Sequence, residues 1–236
     1  RDMEFKIYGH EGIPLLVFLA QDGRFYDFEN FGMINTISDM IKEGKVQVFC
    51  IDSVDSESWS DECGDKGHRV YILEQWYYYV VDELVPIIFD INGSGRLIYT
   101  AGCSMGASHA ANFTFRRPDL FQGCICLSGY YDSDLFFGDY HDEILYNNSP
   151  IQFLNGMSYD HPYVEKYRHR DIILCCGQGA WEDEMIRSTK RMQELLEYKD
   201  VPAWIDFWGK DVNHDWNWWQ IQLPYFLNHI LKKVGI

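Results

Sequence analysis

Gly102-Cys103-Ser104-Met105-Gly106 sets a serine between two glycines at a spacing that suits attack by a hydroxyl nucleophile. The run Leu97–Ala101 before it is apolar and β-prone; Ala107-Ser108-His109-Ala110-Ala111 after it is small and suits a helix. A serine at the apex of such a strand–turn–helix has a strained backbone, so the residues two positions either side must be small, as Gly102 and Gly106 are. Its hydroxyl would stand at a helix N-terminus, where free N–H groups and the helix dipole favour developing negative charge. A serine hydroxyl at neutral pH also needs a base within hydrogen-bond reach, and that base needs a third group to orient it. Of the eight histidines, His214 stands out, in Lys210-Asp211-Val212-Asn213-His214-Asp215-Trp216, between the last predicted strand and the last predicted helix. His10, His68 and His229 fall in turns or helices away from the predicted catalytic edge. His109, five residues past Ser104 on a helix, faces away from the hydroxyl. His141, His161 and His169 lie in an aperiodic stretch and could line a substrate groove. Carboxylates cluster at Glu182, Asp183 and Glu184 after Gly177-Gln178-Gly179-Ala180-Trp181, where helix capping would also favour them. Asp206, Asp211 and Asp215 are weaker choices for the orienting acid.

The elements that must hold these residues alternate. Met3–Tyr8 reads as an edge strand. Pro14–Ala20, Lys45–Ile51, Arg96–Thr100, Gln122–Ser128, Asp171–Cys176 and Val201–Trp208 read as strands, several of them continuous apolar runs of the kind buried on both faces. Helical spacing runs over Asn30–Glu43, over His68–Phe89 with an end or kink at Pro86, from the elbow to about Arg117, over Glu182–Tyr198 and over Trp216–Val234. Gly129–Tyr167 shows no clear periodicity and is expected to be an irregular insertion over the active-site end of the sheet. Strands alternating with helices predict an α/β fold, a mostly parallel central sheet with helices on both faces, in a single domain over residues 1–236. Ligands of such a sheet bind at the carboxyl ends of its strands. The loops carrying Ser104, Glu182 and His214 are all predicted to lie at that edge.

The 236 residues carry a formal net charge of −16, which disfavours nucleic acid and anionic membranes as partners. No stretch of about 18 apolar residues suggests a membrane span. The seven cysteines lack zinc-site spacing, and six lie in or beside apolar strand-like runs, so a reduced, cytoplasmic protein is expected. Tyr, Phe and Trp number 16, 15 and 8, and those flanking the catalytic loops could wall a groove: Phe25, Tyr26, Trp181, Trp216, Trp218 and Trp219.

With Gly102–Ala107, Gly177–Asp183 and Asp211–Trp219 in view, the chain resembles the esterases of the α/β-hydrolase fold related to feruloyl and acetylxylan esterases, S-formylglutathione hydrolase and the mycolyltransferases. The resemblance runs from about Pro14 to the C-terminus. It implies an α/β-hydrolase fold with the order serine, acid, histidine. It places the acid at Glu182 when the chains are aligned on Gly179, with Asp183 as the alternative, and puts the histidine at His214. It also implies an oxyanion hole built from the backbone N–H of Met105 and that of Asp22, with Gln21 as the alternative; many relatives carry His-Gly or Asp-Gly there, where this chain reads Ala20-Gln21-Asp22-Gly23. The activity expected is that of a serine carboxylesterase cleaving a small or sugar-linked ester through an acyl-enzyme, without metal or organic cofactor. An acyltransferase on the same residues and a non-catalytic binding protein on the same fold are the rival readings.

Overall fold

The computed structural model describes residues 2–236. Seven strands form one sheet in the order β1-β3-β2-β4-β5-β6-β7. They are β1 (Phe5–Tyr8), β2 (Ile13–Phe18), β3 (Val46–Ile51), β4 (Ile98–Cys103), β5 (Phe121–Leu127), β6 (Asp171–Cys176) and β7 (Ala203–Phe207). Only β1 runs antiparallel, against β3; every other pairing is parallel. The apolar runs of β2, β3 and β4 are buried throughout because both faces are covered. Along β2, Leu16 and Phe18 point into one core while Ile13, Leu15 and Val17 point into the other. Each alternate residue therefore removes apolar area from water on its own side, at about 25 cal/mol per Å².

The first core is covered by α4 (Lys66–Tyr78), α5 (Val85–Asn92), α6 (Met105–Arg116) and α11 (Asp183–Tyr198). The second is covered by α1 (Asp27–Asn30), α2 (Met33–Thr36), α3 (Ser38–Lys42) and α12 (Trp216–Lys233). Phe18, at the carboxyl end of β2, stacks on Phe113 of α6 at 4.7 Å and meets Trp76 of α4 edge-on at 5.7 Å, fixing both helices over the strand that ends beside the elbow.

Three expectations are corrected. The helix read over Asn30–Glu43 is broken into α1, α2 and α3: Gly32, left-handed at φ 76°, separates the first two, and Ile37, at φ −116°, separates the last two. The helix read over His68–Phe89 extends from Lys66 to Asn92 and is not cut at Pro86. A π-helical segment at Tyr79–Leu84 widens the turn just ahead of the proline, where a regular α-turn would clash with the ring, and Pro86 falls at the start of α5. The stretch 129–167 is not irregular: it holds α7 (Asp134–Phe137), α8 (Glu143–Asn147), α9 (Pro150–Gly156) and α10 (Pro162–Tyr167). Phe137, Leu145, Leu154, Val164 and Tyr167 join the first core, and the Tyr167 hydroxyl donates to the Phe115 carbonyl of α6 at 2.5 Å. These helices are too short to show a period, so the sequence hid them.

All seven cysteines are free, and only Cys63 is exposed. No helix among the described residues is long and apolar enough to cross a membrane.

Candidate active site

β4 ends at Cys103, and Ser104 follows with φ 56° and ψ −125°, a conformation a residue with a side chain adopts only under constraint. The two glycines make that turn possible. A Cβ on Gly102 would lie 2.2 Å from the carbonyl of Gly106, and one on Gly106 would lie 2.2 Å from the carbonyl oxygen of Phe18. The Ser104 N–H donates to the Leu127 carbonyl at 2.8 Å, tying the turn to the end of β5. Cys103 is buried, and burial pushes its thiol well above the usual cysteine range.

The loops after β6 and β7 leave the sheet side by side, since Cys176 pairs with Phe207. They are then zipped together. Gly179 N–H donates to Val212 O at 2.8 Å, Ala180 N–H to Asn213 Oδ1 at 2.8 Å and His214 N–H to Ala180 O at 3.0 Å. So close an approach needs glycine: a Cβ on Gly177 would sit 2.0 Å from Val212 O, and one on Gly179 would sit 2.2 Å from Asn213 Oδ1. The sequence Gly177-x-Gly179 therefore lets the loop of Glu182 pack on the loop of His214.

His214 Nε2 lies 2.9 Å from Ser104 Oγ, although 110 positions separate them. On its other side, His214 Nδ1 lies 3.6 Å from Glu182 Oε2. That is an ion-pair distance and longer than a hydrogen bond. Neither atom has another partner among the described residues, so each is the other's nearest resource. Glu182 is fully buried, with its Oε1 accepting the Ser128 hydroxyl at 2.6 Å. Asp183 is the first residue of α11 and exposed. Trp181, just before the two, takes a left-handed φ of 66°.

β2 lies next to β4, with Phe18 opposite Gly102, so the loop after β2 emerges beside the elbow. A turn closes that loop, Gly23 N–H donating to Ala20 O at 2.8 Å with Asp22 left-handed at φ 58°. Asp52, just past β3, pins it by accepting from Phe25 N–H at 2.8 Å and Arg24 Nε at 3.0 Å. Among the described residues, no protein acceptor is found for the N–H of Met105, Gln21 or Asp22. Asp22 is exposed at this turn.

Of the aromatics, Trp181 is 85 % exposed and Tyr26 is also exposed. Phe25 packs edge-on to Tyr26 at 5.0 Å, and Trp216 stacks flat on the exposed Phe31 at 4.3 Å. Trp218 is half-buried. Trp219 differs from the expected groove wall. It is 3 % exposed, its ring edge meets His214 at 4.9 Å, and its Nε1–H donates to Ser128 Oγ at 3.1 Å. Sequence reasoning missed Ser128; the signal available was its place at the carboxyl end of a buried strand, the rule that also located Ser104.

The other histidines lie apart. His109 Nε2 is bonded to Asp55 at 2.8 Å inside the core. His161 lines a crevice with Tyr77, Arg116 and Tyr163, whose walls include none of Ser104, Glu182 and His214. His169 is exposed beside Glu165, and His141 is exposed. Among the described residues, no three His, Cys, Asp or Glu side chains gather as a metal-ligand set.

Solved structures share this fold. A ferulic acid esterase superposes with a TM-score of 0.75 at 14% identity, over 98% of this chain and 92% of that one. An S-formylglutathione hydrolase from Agrobacterium tumefaciens gives 0.72 at 14% identity, over 98% and 89%. MPT51 (FbpC1) of Mycobacterium tuberculosis gives 0.61 at 14% identity, over 98% and 92%. Among curated proteins, none matches the chain. The family model described as "Putative esterase" matches residues 1–230, and the chain belongs to that family, as a serine ester hydrolase of the α/β-hydrolase fold.

Proposed function

We propose that the chain is a serine carboxylesterase working through Ser104, His214 and Glu182. The observation that carries the reading is the 2.9 Å contact of Ser104 Oγ with His214 Nε2 on a strained elbow. In this mechanism the Ser104 hydroxyl attacks the ester carbonyl while His214 Nε2 takes its proton. The imidazolium so formed gains from the Glu182 carboxylate behind Nδ1, which also holds the tautomer with Nε2 free. The 3.6 Å gap there is within the slack expected of an unliganded site and closes by less than 1 Å of side-chain movement. The tetrahedral oxyanion is received by the N–H of Met105, free at the start of α6, and by that of Asp22, or Gln21 beside it. His214 then returns the proton to the leaving alcohol, and water hydrolyses the acyl-enzyme by the same steps.

Glu182 is preferred to Asp183 because it is buried against the histidine, whereas Asp183 faces solvent. The exposed rings of Trp181, Tyr26 and the Phe31–Trp216 stack favour a flat alcohol or acyl group, such as a sugar or an aryl acid, in keeping with a small or sugar-linked carboxylic ester as substrate. Labelling with a fluorophosphonate, together with hydrolysis of a panel of p-nitrophenyl, acetylated-sugar and feruloyl esters, tests the reading. Native protein should label and turn over at least one ester class, and Ser104→Ala should do neither; a Ser104→Ala protein that still labels or hydrolyses defeats it.

A further inference from the structure

Ser128 is fully buried just past β5, with a left-handed φ of 57°, and its N–H donates to the Cys175 carbonyl at 2.7 Å. That pins it between the elbow and the loop of Glu182. Its hydroxyl sits between two partners whose roles chemistry dictates. The indole N–H of Trp219 can only donate and an ionised carboxylate can only accept. The hydroxyl therefore receives from Trp219 at 3.1 Å and gives its single proton to Glu182 Oε1 at 2.6 Å. With Oε1 held, the carboxylate cannot rotate freely, and Oε2 is the oxygen left facing His214 Nδ1. The same indole lies edge-on against the His214 ring, 4.9 Å away with the planes at 85°. One tryptophan thus touches the holder of the acid and the base that the acid serves.

We infer that Ser128 and Trp219 are positioning residues, a clamp that sets the rotation of the Glu182 carboxylate and the tilt of the His214 ring so that Oε2 meets Nδ1 when the base becomes charged. The inference rests on the reading of Ser104, His214 and Glu182 given above. A buried carboxylate held by one charge-assisted hydrogen bond depends on that bond for its orientation. The left-handed backbone explains why the clamp is costly: a serine there carries strain that a glycine would not.

The test uses Ser128→Gly, which removes the hydroxyl while relieving the backbone, so the folded protein is retained. With p-nitrophenyl acetate as probe, kcat should fall ~10–100-fold, the worth of a hydrogen bond to a charged group, with KM within about two-fold of native. The double variant Ser128→Gly/Glu182→Gln should be no more than about two-fold slower than Glu182→Gln alone, because a clamp has nothing left to position. Trp219→Phe, which keeps a ring against His214 but loses the N–H, should lower kcat ~3–10-fold. A Ser128→Gly enzyme with native kcat, a loss confined to KM, or losses that multiply in the double variant would each overturn the clamp; native kcat in Trp219→Phe would remove the indole from it. If Glu182→Gln itself keeps native kcat, the failure lies with Glu182 as the acid. If Glu182→Gln is slow and Ser128→Gly is not, the failure lies with the clamp alone.

Discussion

Two histidine–carboxylate pairs differ in how tightly they are drawn, and the tighter one is not the one beside Ser104. His109 and Asp55 meet at 2.8 Å with side chains 3% and 0% exposed, ringed by Trp76, Phe18 and Trp59. His214 and Glu182 stand 3.6 Å apart, with the imidazole 15% exposed. The shorter, drier contact is the one farther from Ser104 in the hydrogen-bond network, since only His214 bonds to its hydroxyl. His109 spends its Nε2 on Asp55 and faces away from Ser104, five residues earlier on the same turn and helix. His214 aims Nε2 at a hydroxyl and has Nδ1 toward the carboxylate, the arrangement the proposed proton transfer requires. The first pair is buried in the core; the second is longer and partly open to solvent.

The widest separation between the pairs should appear when each is cut. His214→Ala is expected to lower kcat by ~10⁶-fold while leaving the thermal midpoint near native, since this loss is chemical. Single-turnover acylation with p-nitrophenyl acetate, read beside a melting curve, checks both halves of that statement. Next comes Glu182→Gln, with an expected fall of ~10³–10⁴-fold in kcat at nearly constant KM, the cost of a base without its orienting charge. Asp55→Ala reverses the pattern. It leaves His109 Nε2 buried without an acceptor, a loss of ~1–3 kcal/mol and hence a midpoint lower by ~2–12 °C, while kcat per folded molecule stays within about two-fold of native. Calorimetry paired with active-site titration separates these; a large kcat loss in Asp55→Ala would show that the two pairs are coupled through α6.

How far this contrast was readable beforehand depends on which physical quantity each residue obeys. Ser104 and His214 were legible because their positions follow from where strands end, and strand ends are written in apolar runs closed by Gly or polar residues. The parallel sheet was legible for the same reason. The break at Gly32 and the π-helical widening at Tyr79–Leu84 were not read: an apolar period carries across a left-handed glycine or a π-turn without a visible change of phase. Whether Glu182 or Asp183 faces His214 depends on how the loop after β6 enters α11, and that loop has Trp181 at φ 66°, a conformation tryptophan seldom takes. The partnership of Ser128 with Glu182 and Trp219 joins residues 54 and 91 positions apart. The register Cys103↔Leu127↔Cys175 and the packing of α12 against β5 bring them together.

Asp183 offers the smallest effect and the sharpest control on the comparison. It neighbours Glu182 in sequence, has the same charge and sits at the start of the same helix, yet it faces water. Its electrostatic role is then confined to the dipole of α11, where a carboxylate in the first turn adds a little stability that salt screens. Asp183→Asn should keep kcat and KM within about two-fold of native and lower the midpoint by only ~1–3 °C, less in high salt. Glu182→Gln, one position away, removes the same single charge and should cost three orders of magnitude or more in rate. If Asp183→Asn instead loses as much as Glu182→Gln, direction of the side chain is not what selects the acid.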